Sequence, residues 1–209
     1  MSIAQAAIDI ADEDGFEAVS MRNVAQRLGV GTMSLYHYVR TKHELLSVMG
    51  DAIMAEALIP DGEVPDGWRE GLAEIARRTR GIFVGHPWIL ASWGQAGRGD
   101  PGLSVVHHIE QTMAIVAELD FLTIPERLRV TGLVDEFVVG HVMRNASVAA
   151  PGAPEDTWQA FIAEQAATGE YPHLSEMFAA ELGDPDFGDF DTSLEIVLDG
   201  IAAFIAGRG

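Results

Sequence analysis

The sequence predicts an all-α protein, in which a small three-helix unit with a helix-turn-helix is followed by a larger helical domain. Three observations carry that prediction. Apolar residues recur at helical spacing along nearly the whole chain, from Ile3, Ala7, Ile10 and Ala11 at one end to Leu194, Val197, Leu198, Ile201 and Ile205 at the other. No segment alternates in the manner of a strand, and no internal repeat stands out. Glycine, proline and capping residues punctuate the helices where short turns need them.

Taken in order, residues 2–14 form the first helix, and Gly15 stands where a left-handed C-terminal cap belongs. Phe16 and Val19 are spaced to pack the following linker onto the core. Ser20 is the N-cap of a helix to Leu28 that keeps Val24, Ala25 and Leu28 on one face. Gly29 permits a sharp turn, Val30 plugs the angle, and a second helix covers Thr32–Tyr38 with Leu35 inward. Thr41 and Glu44 have capping-box spacing and open a longer helix through Leu45, Leu46, Met49 and Ile53. The run from Pro60 to Gly67 breaks the pattern. It separates residues 1–46, a helix-turn-helix domain, and a connecting helix at 41–59 from a second domain at 60–209.

Beyond that break, Trp68, Leu72, Ile75, Thr79, Ile82 and Phe83 form a stripe ended by Gly85, His86 and Pro87. A short apolar helix holding Trp88 and Trp93 leads into a glycine-rich loop at 94–102. Val105, Val106, Ile109, Met113 and Val116 mark the next helix. Pro125 stands at the first position of one running to about residue 148. Pro151–Pro154 interrupts, Trp158, Phe161 and Ile162 mark a further helix, residues 174–182 a short one, and 183–191 an acidic loop. The last helix, 191–206, is apolar on more than one face, which suits burial against a partner.

Composition excludes several chemistries. With 209 residues, 48% of them hydrophobic, the chain has material for a sizeable core. It has no cysteine, so disulfides, thiolate metal sites and cysteine nucleophiles are out. No basic region precedes an apolar core at the N-terminus, and no apolar run of about 18 residues occurs. Neither a signal peptide nor a membrane span is expected, and the cytoplasm is the expected location. Nucleophile-elbow, phosphate-loop and His-Glu-x-x-His motifs are missing. His107 and His108 are adjacent, so they point about 100° apart on a helix and make a poor metal pair. No enzyme, cofactor or metal is expected.

The formal net charge is −19, and residues 1–45 carry only −2 of it. From Ala18 to His43 the chain holds Arg22, Arg27, Arg40 and Lys42 and no acid. Such a locally positive helix-turn-helix suits DNA phosphate. Ile75–Gly99 is also acid-free, however, and holds Arg77, Arg78, Arg80 and Arg98. Charge alone does not choose between the two stretches.

The residues themselves do. Residues 3–50 resemble the N-terminal domain of the TetR family of bacterial transcriptional regulators. The likeness rests on Ala6-Ala7, Gly15-Phe16, the run from Val24 to Val30, Leu35-Tyr36-His37-Tyr38-Val39 and Lys42-His43-Glu44-Leu45-Leu46. It implies that the helix from Thr32 reads DNA, with Thr32, Met33, Ser34 and His37 toward the major groove. Tyr36, Tyr38 and Lys42 would then hold phosphates, Arg22 would do either job, and Arg27 and Arg40 are surface charges.

Residues 67–206 resemble the tetracycline-repressor type of C-terminal domain, through Gly67-Trp68-Arg69, His86-Pro87-Trp88, Phe137-Val138-Val139-Gly140 and the run from Ser193 to Gly200. That resemblance implies an all-α ligand-binding domain that forms a homodimer by pairing helices 126–148 and 192–206 with their copies. Trp68, Trp88, Trp93, Met113, Phe137 and Trp158 are candidate pocket residues, with His107 and His141 as polar partners. Aromatic and Met stripes at helical spacing are more often the material of a plain core. Leu58, Ile75 and Thr112 stand where tetracycline repressors present polar residues to drug and metal, which implies a more apolar effector without a metal. The implied function is a ligand-responsive repressor of double-stranded operator DNA. The rival is an acidic helical regulator that works through a protein partner, with DNA binding weak or lost.

Overall fold

Local capping sets the helices of the first domain. The Ser2 hydroxyl accepts from Gln5 N at 3.1 Å and starts α1 (Ile3–Asp14). The Ser20 hydroxyl accepts from Asn23 N at 3.2 Å and starts α2 (Met21–Leu28). The third helix, α3 (Thr32–Leu35), is followed by α4 (Lys42–Ala57). At the start of α4, Thr41 Oγ1 accepts from Glu44 N at 3.0 Å. The Glu44 carboxylate reaches back one residue further than a capping box requires, to Arg40 N at 2.7 Å. It therefore ties the loop, as well as the cap, to the helix.

A computed structural model describes residues 1–89, 102–148, 155–179 and 189–208. The second domain contributes α5 (Trp68–Gly85), α6 (Leu103–Ile115), α7 (Ile124–Val148), α8 (Glu155–Ala167), α9 (Pro172–Ala179) and α10 (Phe190–Ala206). Among the described residues there are ten α-helices and no strand, so the fold is all-α. Trp93, the loop up to residue 101, Pro151–Pro154 and residues 180–188 lie outside the described residues.

α1 packs on α2 and α4, α4 then packs on α5 and α6, and α5 packs on α6, α7 and α10. The fully buried Ile8, Leu35, Leu45 and Met49 centre the first domain. Leu72, Ile75, Val130, Leu194 and Leu198 centre the second. Truncating any of these to alanine removes contacts worth roughly 2–4 kcal/mol. Polar bonds fix α4 to α6: Asp51 Oδ1 accepts from Ser104 N at 2.8 Å, and the Gln111 amide pairs with both backbone groups of Ile59 at 2.8 and 2.9 Å. α8 and α9 pack chiefly on each other, leaving Phe161, Tyr171, Met177 and Phe178 exposed.

Three details differ from the sequence reading. The regular part of α3 ends at Leu35, because His37 N–H returns to Ser34 O and Tyr38 N–H to Leu35 O, a tighter spacing than an α-helix allows. α7 begins at Ile124, so Pro125 is its second residue. On α6 the apolar stripe is turned partly outward: Val106 and Ile109 are exposed, whereas Thr112, Ile115 and Val116 are buried.

Candidate functional site

α2, the turn and α3 hold one face outward by burying the other. Gly29 closes α2 at φ 69°, a left-handed conformation that favours glycine, and Val30 N–H reaches Ala25 O at 3.0 Å. Val24, Ala25, Leu35 and Val39 are buried beneath this turn. Arg22, Met33, Ser34, Tyr36, His37, Tyr38 and Lys42 are exposed, and Thr32 is half-buried at the N-terminus of α3. Met33 is 77% exposed and Tyr38 is 80% exposed, so neither serves the core.

Charge on this face is unspent. Among the described residues Arg22, Arg40 and Lys42 form no ion pair, although the Lys42 ammonium lies 5.7 Å from the centre of the Phe16 ring. Arg27 differs, since it makes a two-pronged pair with Glu13 at 3.0 and 2.5 Å and holds that carboxyl below its ordinary range. Among the described residues, the arginines of the rival basic stretch are committed internally. Arg77 pairs with Asp191 at 2.8 Å and Arg78 with Glu74 at 2.7 Å and Leu58 O at 3.0 Å. Arg80 stacks 5.0 Å from the centre of Phe190. Just upstream, Arg69 joins Glu195 and Asp199.

A junction links the two domains near the end of α5. His86 Nδ1 lies 2.8 Å from Asp12 of α1, and its Nε2 lies 3.4 Å from Glu56 of α4. The Trp88 indole N–H donates to the same Asp12 at 2.6 Å, and its ring stacks on Phe16 at 5.6 Å. Burial works against the His86 imidazolium, but Asp12 and Glu56 outweigh it and raise its pKa. Trp88, a candidate for a sensor pocket, thus belongs to the contact between domains.

The other sensor candidates separate into groups. Phe137 and His141 meet Phe190 at 5.4 and 5.1 Å and close α7 on α10. Trp68 and Met113 are half-buried against the core, and Trp68 N–H donates to the Glu118 carboxylate. His107 is exposed. Trp158 lies on α8, and Trp93 is outside the described residues. Ile75 and Thr112 are buried, and Leu58 is half-buried with its carbonyl on Arg78.

Residues 3–49 match the family model of bacterial regulatory proteins of the tetR family, and residues 60–205 match the tetracyclin repressor-like C-terminal domain. The chain belongs to the TetR family. Among its relatives, the HTH-type transcriptional repressor DrrR1 of Streptomyces coeruleorubidus is 33% identical over 216 residues, covering 99% of this chain and 78% of the relative. The class A tetracycline repressor from transposon 1721 of Escherichia coli is 24% identical, covering 96% and 89%. In structure the chain resembles apo ActR from Streptomyces coelicolor (TM-score 0.76, 25% identity, covering 99% and 96%). It also resembles ActR in complex with actinorhodin (TM-score 0.72, 26% identity, covering 99% and 95%).

As a TetR-family protein the chain is a DNA-binding transcriptional regulator and not an enzyme. No helix among the described residues is long and apolar enough to cross a membrane. The two TetR family models leave residues 50–59 between them, the second half of α4 and the strap after it. Glu56, which faces His86, and Ile59, which Gln111 pins, both fall there. Sequence reasoning missed this junction because its partners stand 30 to 76 residues apart. It also chose His107 over His108 as a polar partner, although helical arithmetic was available: His108 precedes the buried Thr112 by one turn and Ile115 by two.

Proposed function

We propose that this TetR-family regulator is a homodimeric repressor that binds double-stranded operator DNA and is released by a small apolar effector held in the second domain. One observation carries the DNA half: Arg22 and Lys42 are exposed and unpaired among the described residues, beside Met33 and Tyr38 left in solvent. In this reading Thr32, Met33, Ser34 and His37 meet base edges, whereas Tyr36, Tyr38 and Lys42 hold phosphates and Arg22 does either. Residues 1–46 read DNA, 41–59 connect, and 60–209 sense and dimerise.

The dimer half is supported by exposed apolar side chains on the helices expected to pair. Ile124, Leu128, Leu133 and Met143 of α7 and Ile196 of α10 are all open to solvent in the single chain. Two reading heads then present their α3 helices roughly 34–36 Å apart, one turn of duplex. The effector half is supported by ActR, which was solved with actinorhodin. Phe137, His141, Trp68 and Met113 are the effector contacts proposed from the described core, with Trp93 and Trp158 added from the sequence. An effector releases DNA only if it binds the released conformer more tightly, and the helix from Lys42 is the element that would pivot. The cytoplasm is the compartment in which this activity belongs.

A mobility-shift assay on the DNA upstream of the protein's own reading frame tests the reading. Specific retardation at low salt is expected, with loss in Tyr36→Ala/Lys42→Ala and an unchanged dimer on size exclusion. Absence of specific binding by the wild type overturns it in favour of a regulator acting through a protein partner.

A further inference from the structure

Two side-chain atoms among the described residues are buried without a hydrogen-bond partner, and both belong to the sensor domain: Thr79 Oγ1 on α5 and His108 Nδ1 on α6. Native interiors pair such groups, so each calls for a reason. Helix register puts them on one level. Gly71 of α5 lies so close to α6 that a Cβ there would stand 2.6 Å from Ile115. The Trp68 N–H, nearly one turn earlier, meets Glu118, nearly one turn later, so the two helices run antiparallel. Two turns on from Gly71 is Thr79, and two turns back from Ile115 is His108, about 12 and 10 Å along their axes.

α7 adds the third member. Arg127 Nε donates to Leu119 O at 3.0 Å where α7 starts beside the end of α6. Two turns further along α7 is Asp135, and it and His108 feel each other's charge. Asp135 is exposed to solvent, yet the protein around it raises its pKa by desolvation, with His108 opposing and Glu136 adding to the rise. Burial lowers the pKa of His108, and Asp135 opposes that only in part. Burial therefore favours the neutral imidazole.

All three groups accept hydrogen bonds. An ionised carboxylate accepts only, a neutral imidazole with its proton on Nε2 accepts at Nδ1, and a threonine hydroxyl accepts as well as donates. An anion would meet Asp135 and the field of a chain carrying −19, whereas a cation is drawn in by both. We propose that Thr79, His108 and Asp135 form the polar pole of the effector site and that the effector carries a protonated amine there. Its ammonium donates to the Asp135 carboxylate, to His108 Nδ1 and to Thr79 Oγ1, while its apolar body fills the sensor core. This rests on the reading that the second domain binds an apolar effector, and it names the chemistry of that molecule's polar end.

Three probes of one skeleton test it on the full-length protein by calorimetric titration: 2-naphthylmethylamine, 2-naphthylmethanol and 2-naphthoate. The wild type is expected to bind the amine about tenfold more tightly than the alcohol, and the carboxylate most weakly. Asp135→Asn should bring amine and alcohol to within about twofold, with circular dichroism unchanged. Without any ligand, the His108 ring resonances should titrate at still lower pH in Asp135→Asn, with His108→Gln assigning the signal. Equal binding of amine and alcohol, a preference for the carboxylate, a preference that survives Asp135→Asn, or no binding by any probe overturns the proposal. Alcohol binding that releases operator DNA without an amine preference sinks this pole alone. Failure of operator binding sinks the repressor reading and leaves the titrations readable, since they contain no DNA.

Discussion

Residues 18–43 and 75–89 carry their arginines on stretches equally free of acid, yet the two surfaces they make have little in common. In the second stretch each arginine meets a group brought in by folding, from Glu74 one turn away to Asp191 and Phe190 on α10. In the first, Arg22, Arg40 and Lys42 meet no carboxylate among the described residues, and Arg27 alone is taken up by Glu13. A positive run in a sequence is thus a supply of cations, and tertiary structure decides whether they remain available. Where long-range carboxylates arrive, the arginines hold helices together. Where none arrives, they keep their charge for a ligand such as phosphate.

The largest expected effect sharpens that contrast. Tyr36→Ala/Lys42→Ala should weaken operator binding about 100-fold near 0.15 M salt and make its salt dependence shallower by about one phosphate per subunit, measured by fluorescence anisotropy. Next, Arg22→Ala should cost about tenfold, whereas Arg27→Ala, only five residues on, should stay within about twofold because Glu13 already holds it. Equal losses at the two positions would break the comparison. Arg69→Ala should leave operator affinity unchanged and lower stability by roughly 0.5–1 kcal/mol in urea melts, the range for a partly exposed ion network.

The smallest effect concerns pH. His86 gains affinity for its proton on folding, so its contribution to stability is complete below about pH 6.5 and fades as pH rises through the raised folded value. His86→Gln should flatten that part of the pH dependence of the melting temperature, while the wild type loses a few degrees or less across it.

Much of the fold was legible because its signals are local. Ser20, Gly29, Thr41 and Glu44 act within a few residues of themselves, and the helices they start or stop lie where spacing puts them. α6 shows where locality ends. Val106 and Ile109 are as apolar as Ile115, but only the neighbours supplied by α4, α5 and α7 decide which side of the helix is inside. The same holds for the histidine pair, in which His107 faces solvent and His108 the core. An aromatic residue on an apolar stretch, such as Trp88, looks like pocket lining in the sequence. Its partners Asp12 and Phe16 lie in the other domain, and no periodicity reports them.

The His86–Trp88 clamp bears on how such regulators can be recombined. A chimera cut between residues 49 and 60 would carry Asp12 and Phe16 with the grafted reading head and leave His86 and Trp88 behind in the donor. Such a hybrid keeps the caps and buried residues of each half and its α4 face toward α5 and α6, yet it has lost the contacts that α1 makes with the end of α5. Recombining either half of this scaffold therefore means moving Asp12, Phe16, Glu56, His86 and Trp88 as a set, not a domain at its boundary.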